Sequence, residues 1–181
     1  MLNEGGVSVM VYGLQPKKLW GYKLTDDNYT KLKVVLKEVL LQCKAKECIC
    51  DMALGVPVVF ADTVLELRDQ EKGCHDMKLI CAIPYSDYES KWYEADKARY
   101  QRILKKADAV IQLSEESFSI DLLKASTSWM VEKSDLAIVI DDGEDFGAKC
   151  LISSLKNQKK HAMVIDYKEI EKMDLRKGGV N

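Results

Sequence analysis

Leu136-Ala137-Ile138-Val139-Ile140 is a run of five apolar residues that stops abruptly at Asp141-Asp142-Gly143-Glu144-Asp145, after which helical spacing resumes from Phe146 to Lys156. A strand with no polar alternation is one covered on both faces, the environment of a parallel sheet with helices above and below it. The rest of the chain repeats this unit, a short β-branched run followed by a longer stretch of helical period.

Working backwards, Asp108 to Leu113 reads as a strand before a helix from Ser119 to Glu132. Met77 to Ile83 reads as a strand stopped by Pro84, and Ser86 with Glu89 matches a capping box that opens a helix reaching about Lys106. Cys48 to Met52 is a strand feeding a helix from Ala53 to Leu67. At the start, Val7 to Tyr12 is a strand, and a long loop passes Pro16 and Gly21 to Thr25. A helix then runs from Asp26 to Cys43, with Tyr29, Leu32, Leu36, Val39 and Cys43 spaced by three or four as one buried stripe. Working forwards, His161 to Ile165 is a sixth strand, a last helix begins near Lys168, and Arg176 to Asn181 is expected to fray. These elements predict one α/β domain over residues 1–181: a doubly wound, mostly parallel sheet with helices on both faces, Rossmann-like in organisation.

Composition narrows the function classes. With 47% hydrophobic and 31% charged residues and only 3 Pro in 181, the chain is neither disordered nor repetitive. Lys+Arg 27 against Asp+Glu 29 leaves a net charge of -2, which argues against nucleic acid as a partner held by a broad basic face. No apolar run reaches the roughly 20 residues of a membrane span, and Met1 to Gly6 lacks the pattern of a signal peptide, so a cytoplasmic protein without a membrane partner is expected. The six cysteines, Cys43, Cys48, Cys50, Cys74, Cys81 and Cys150, read as small core hydrophobes in a reducing compartment. Cys48-x-Cys50 lacks paired zinc-ligand spacing, so no metal and no cofactor are expected.

In an open parallel sheet, ligands bind beyond the carboxyl ends of the strands where the strand order reverses. That singles out five loops: Gly13 to Gly21, Asp51 to Gly55, Pro84 to Lys91, Ser114 to Ser117, and Asp141 to Gly147. Gly55 and Gly147 sit at strand-to-helix turns, where backbone N–H groups and a helix dipole favour phosphate, yet neither belongs to a full glycine-rich fingerprint and both also read as tight-turn residues. The acidic loop at Asp141, Asp142, Glu144 and Asp145 reads first as a solvated turn, with ribose hydroxyls or a cation as other guests. Lys91-Trp92 and Trp129 offer either core packing or a stacking face for a base. His75 and His161 have no Ser or Cys nucleophile placed near them, and no catalytic triad is visible.

At these loops the sequence resembles the YpsA-like branch of the SLOG superfamily, which also holds DprA-like proteins and the LOG phosphoribohydrolases. The family opening Thr-Gly-His-Arg-Pro-x-x-Leu followed by Gly-Tyr is similar to Tyr12-Gly13-Leu14-Gln15-Pro16-Lys17-Lys18-Leu19 and Gly21-Tyr22. Its Ser-Gly-Met-Ala-Leu-Gly-Val-Asp resembles Cys50-Asp51-Met52-Ala53-Leu54-Gly55-Val56-Pro57, and its Ile-Pro-Tyr segment ending in Lys-Trp resembles Ile83-Pro84-Tyr85 through Lys91-Trp92. The likeness continues at Tyr100, Ala107-Asp108, Met130-Val131 and Ser134-Asp135-Leu136. Three departures bear on chemistry. Asp51 puts a carboxylate where the family has glycine beside a ligand phosphate. The second-loop Gly-Gly-Thr reads Phe146-Gly147-Ala148, and the enzymes' helix Arg-Asn and loop Glu fall at Ser126-Thr127 and Leu151.

The resemblance implies a binding protein of sensor or sequestering type for a nucleotide or nucleotide-derived small molecule, without catalysis and, by analogy, as a homodimer. The site residues it implies are Gly13, Gln15, Asp51, Met52, Leu54 and Gly55, with Pro84, Tyr85 and Trp92 on the rim and Gly147 at the second loop. Two other readings stay open. One is a divergent phosphoribohydrolase or N-glycosidase whose carboxylate is Glu89, Glu115, Glu116 or Asp141. The other is a protein-interaction module that keeps only the fold.

Overall fold

The computed structural model describes residues 6–176. Strands β1 (Val7–Gly13), β2 (Ala45–Cys50), β3 (Lys78–Ile83), β4 (Ala109–Gln112), β5 (Leu136–Ile140) and β6 (His161–Ile165) form one parallel sheet in the order β4-β3-β2-β1-β5-β6. Between them run α1 (Asp27–Gln42), α2 (Val56–Gln70), α3 (Glu94–Lys106), α4 (Ile120–Lys133) and α5 (Phe146–Asn157), and α6 (Tyr167–Lys172) follows the last strand. The chain therefore lays strands outward from β1 to β4, then crosses back to β1's other side to lay β5 and β6. Right-handed crossovers in opposite directions put their helices on opposite faces.

The two cores record that division. Val9 and Val11, Cys48 and Cys50, Leu79 and Cys81, and Ile138 and Ile140 point to one side, where they meet Leu32, Leu36, Val59, Phe60, Val64, Ile103 and Ile170 of α1, α2, α3 and α6. The residues between them, Met10, Ile49, Ala82, Ala137 and Val139, point to the other and meet Met130, Val131, Ala148, Leu151 and Leu155 of α4 and α5. Successive side chains of a strand face opposite sides, so an unbroken apolar run feeds both cores at once.

The sequence expectations hold for β5 and β6 to the residue, and Ser119 caps α4 by accepting from the Leu122 N–H at 3.2 Å. Four differ. β2 begins at Ala45 rather than Cys48, because Lys46 and Glu47 reach outward to Asp76 and Ser8 and leave the strand apolar only on its inner positions. α3 begins at Glu94 and not at Ser86, whose hydroxyl donates to the Glu116 carbonyl at 2.9 Å and ties the β3 loop to the β4 loop. The edge strands are not covered throughout: Val110 of β4 and Met163 and Val164 of β6 are exposed. Of the cysteines, Cys48, Cys50, Cys74 and Cys81 are buried, Cys43 is half-buried and Cys150 is exposed. Residues 1–5 and 177–181, which include the leader reading and most of the fraying reading, lie outside the described residues. No helix among the described residues is long and apolar enough to cross a membrane.

Leu36 is fully buried at the centre of the α1 stripe, whereas Val164 is half exposed on an edge strand. Leu36→Ala is expected to cost about 2–5 kcal/mol and Val164→Ala no more than about 1 kcal/mol, read from urea midpoints at constant m.

Candidate functional site

β1 and β5 lie side by side, with Gly13 opposite Ile140, so the loops that leave them part at the point where the strand order reverses. After β1 the backbone passes Gln15 into a single 3-10 turn, Pro16–Lys18, with Pro16 buried against Gly55. The loop is pinned further on by Trp20, whose Nε1 donates to Glu171 of α6 at 2.8 Å. After β5 the loop folds on its own carboxylates. Asp141 Oδ2 accepts from the Gly143 N–H at 3.0 Å and Asp142 Oδ1 from the Glu144 N–H at 3.2 Å.

Asp145 joins the two loops. Its Oδ2 caps α5 by accepting from the Ala148 N–H at 3.0 Å and also accepts from the Tyr12 hydroxyl at 3.0 Å, while its Oδ1 meets Lys18 Nζ at 3.0 Å. Burial opposes ionisation of this carboxyl, but the three donors outweigh it and hold its pKa below the usual carboxylate range. Tyr12 shows the reverse. Burial first, then the hydrogen bond to Asp145 and the charges of Asp145, Asp141 and Asp51, drive its hydroxyl well above the ordinary tyrosine value, so it stays a donor. Gly147 makes this close approach feasible, since a Cβ there would lie 2.3 Å from the Tyr12 oxygen.

Beside this junction is a hollow of about 480 Å³ lined by Leu14, Lys18, Asp142, Glu144, Asp145, Phe146 and Tyr167. Phe146 is 79% exposed on its wall. Tyr167 comes from the start of α6, so the loop after β6, which sequence spacing did not single out, supplies one side. Lys168, next to it, pairs with Asp142 at 2.8 Å.

The ten expected site residues fall into two groups, and none of them lines the hollow. Gly13, against Val56 of α2, and Gly147 flank it. Gln15 is exposed on the β1 loop. In the β2 loop, Asp51 Oδ1 accepts from the Ala53 N–H at 3.0 Å, and Met52 takes a positive φ of 60 with its side chain in the core. Leu54 is half-buried, and Gly55 precedes α2 with φ 96 and ψ -125, a conformation only glycine adopts without strain. The second group stands at the end of β3, three strand spacings or about 14 Å from β5. There Pro84 is buried, and Phe118, Tyr85, Tyr88, Trp92 and Tyr100 meet edge to face in series, with neighbouring centroids 5.0–5.5 Å apart. Asp51 lies between the groups, its charge acting on both Tyr12 and Tyr88. The five loops therefore share one rim but form two surfaces.

Sequence reasoning missed Tyr12, Lys18, Phe146 and Tyr167, and took Asp145 for a solvated loop residue. The one available signal was Asp145 immediately before a helical apolar run, the position of a helix cap. No group of three or more His, Cys, Asp or Glu residues is arranged to hold a metal among the described residues.

Two substitutions test this geometry. Gly147→Ala is expected to cost about 1–3 kcal/mol by displacing the Tyr12–Asp145 hydrogen bond, and less in a Tyr12→Phe background, where the clashing oxygen is gone; denaturation of the double-mutant cycle reads the difference. Asp51 is pushed above the usual carboxylate range by burial, against the pull of the Ala53 and its own N–H groups. An Asp raised in the folded state disfavours folding while ionised. Asp51→Asn, which keeps the acceptor, should therefore raise the melting temperature at pH 7. The gain should shrink as pH falls through the raised pKa and vanish below the unfolded value of about 3.9.

Comparison with known proteins places this architecture. A family model, described as the YspA SLOG family, matches residues 9–175. A UPF0398 protein of Bacillus cereus strain B4264 is 26% identical over 155 residues, 83% of each chain. A UPF0398 protein of Bacillus pumilus strain SAFR-032 is 25% identical over 154 residues, 82% of this chain and 81% of the relative. Among solved structures, DNA processing protein A from Helicobacter pylori superposes with a TM-score of 0.56 at 13% identity, covering 90% of this chain and 70% of its own, a likeness of fold. That protein is described for its single-stranded DNA binding mode. The exclusion of nucleic acid drawn from net charge is corrected by it, for a chain-wide charge sum does not describe the local surface that meets a ligand.

Proposed function

The chain belongs to the YspA SLOG family, and from that premise we propose that it binds a nucleotide-derived small molecule in the hollow between the β1, β5 and β6 loops and does not cleave it. The observation that carries the reading is the hollow's position at the strand-order reversal, with Lys18 on one wall and the exposed ring of Phe146 on another. The positions that resemble those of the hydrolytic relatives' charged pair support binding without turnover: Ser126 and Leu151 are both buried and neither ionises. Four buried free thiols fit a reducing, cytoplasmic setting.

A second reading, binding of single-stranded nucleic acid, is favoured by the aromatic series at the end of β3, whose outermost ring, Phe118, is 62% exposed. Aromatic side chains that open to solvent are what unpaired bases stack on. The Helicobacter pylori neighbour shares the fold and is described for single-stranded DNA binding, which supports keeping this reading beside the first.

The two separate cleanly. Thermal shift with nucleosides, mononucleotides, ADP-ribose and cyclic dinucleotides should give a rise of roughly 5–10 °C for a binder at 100 times its Kd, and chromatography should recover the compound intact. Silence across the panel rejects the first reading, and release of free base rejects its non-catalytic part. Salt-dependent anisotropy of a labelled single-stranded oligonucleotide, lost in Phe118→Ala, would select the second.

A further inference from the structure

β6 closes one edge of the sheet, and its outward side meets no other strand among the described residues. Backbone alternation decides which groups are left there. The His161 N–H donates to the Asp135 carbonyl at 3.3 Å and the Ile165 carbonyl accepts from the Asp141 N–H at 3.1 Å, so the peptide groups of His161, Met163 and Ile165 turn toward β5. Those of Ala162 and Val164 turn away from it, each with an N–H and a C=O. His161, Ala162, Met163 and Val164 are all exposed, Val164 by 50% and Met163 by 36%. Register with β5 puts Ala162 and Val164 on the α4 and α5 face, beside Ala137 and Val139, and Met163 on the opposite face, beside Ile138. The strand is therefore open on both faces as well as along its edge.

Sheets ordinarily guard such an edge with a charged side chain, a proline, a bulge or a very short strand. His161-Ala162-Met163-Val164-Ile165 contains no Asp, Glu, Lys, Arg or Pro, and all five residues pair with β5 in unbroken register. The opposite edge differs: β4 has four residues and ends at Gln112, whose side chain bonds to the Ser114 carbonyl and to Glu115. The charges at the two ends of β6 indicate what covers it. Lys159 and Lys160 stand immediately before the strand and Asp166 immediately after it. Lys160 Nζ is held by the Val131 and Glu132 carbonyls, while Lys159 is exposed. Asp166 uses Oδ1 to cap α6 through the Lys168 N–H and keeps its charge. A strand that is basic at its start and acidic at its finish complements itself when a second copy runs antiparallel. In a parallel pair, lysine would meet lysine and aspartate would meet aspartate.

We propose that β6 is the surface through which two copies of this chain pair, antiparallel about a two-fold axis at Met163. In that register Ala162 of each copy lies opposite Val164 of the other. These are the residues whose peptide groups face outward, so each pair exchanges both of its N–H···O bonds and none of the four outward groups of either copy is left over. Met163 meets its own copy across the axis, and Lys160 lies opposite Asp166 with Lys159 beside it. A slip of two residues in either direction would pair three strand residues instead of five. The contact is isologous and closed, so association stops at two chains. It joins two six-stranded sheets into one and points their rims in opposite directions, whatever the hollow binds.

Sedimentation equilibrium of the full chain over a range of concentrations tests this. The expected result is a reversible passage from 20.5 kDa to twice that mass, with nothing larger. Ala162→Pro removes an N–H that the ladder to β5 does not draw on and only a second copy uses. It should raise the dissociation constant by roughly tenfold or more and leave the melting temperature of dilute protein in place. Met163→Lys, which sets like charges face to face at the axis, should do the same and serves as the test where the proline disturbs the strand. Register is read in a Cys150→Ser background, which removes the exposed native thiol. There Met163→Cys should link two chains by a disulfide on oxidation with copper phenanthroline, since directly opposed residues of a non-hydrogen-bonded pair stand about 4.5 Å apart at Cα. A single-chain mass at every concentration overturns the proposal and leaves the edge to a different protein. A dimer that survives both substitutions, or that does not cross-link through Met163→Cys, overturns it by placing the interface elsewhere, and open-ended growth in mass overturns the closed pair.

Discussion

The parallel pairing of β1 with β2 on one edge and with β5 on the other sets everything else at the functional end of the molecule. Because the chain lays strands outward from β1 in both directions, the loops that follow β1 and β5 cannot be covered by the same helix, and a crevice opens between them. The same reversal separates α1, α2, α3 and α6 from α4 and α5 and divides the apolar residues into two cores. Asp145 stands at the join. Its contacts to Tyr12, Lys18 and the Ala148 N–H tie the first strand, its loop and the fifth helix into one rigid rim.

The crevice is unusual in its chemistry rather than in its place. Doubly wound proteins commonly leave helix N-termini free at this end and let a ligand phosphate satisfy them. Here carboxylates of the chain fill that role before α5 and α6 and within the β2 loop. The scaffold therefore places carboxylates of its own on the wall of this crevice.

Much of the fold was legible because it rests on local periodicity. The α1 stripe of Tyr29, Leu32, Leu36 and Val39 and the run Leu136 to Ile140 state their burial directly. The start of α3 was not legible, since Ser86 and Glu89 carry a capping pattern but the packing of Tyr85, Tyr88 and Trp92 holds that segment in turns. The rim of the site was recognisable as a set of loops, yet its chemistry was not. Tyr12 and Lys18 reach Asp145 across separations of 133 and 127 residues, which no local pattern encodes. The charge sum misled for a related reason: one total for the chain describes no local surface, and the aromatic residues beyond β3 form a face of their own.

The three tryptophans stand at three corners of this architecture. Trp20 touches Tyr167 on the wall of the hollow, Trp92 lies within the aromatic series beyond β3, and Trp129 packs under the α4 face. Tyrosines edge-on to Trp20 and Trp92 pass excitation energy to them, so the protein carries optical reporters at both surfaces of its rim. Emission from Trp20 reports on the surroundings of the crevice and emission from Trp92 on those of the aromatic face, each read alone in a chain whose other two tryptophans are replaced by phenylalanine.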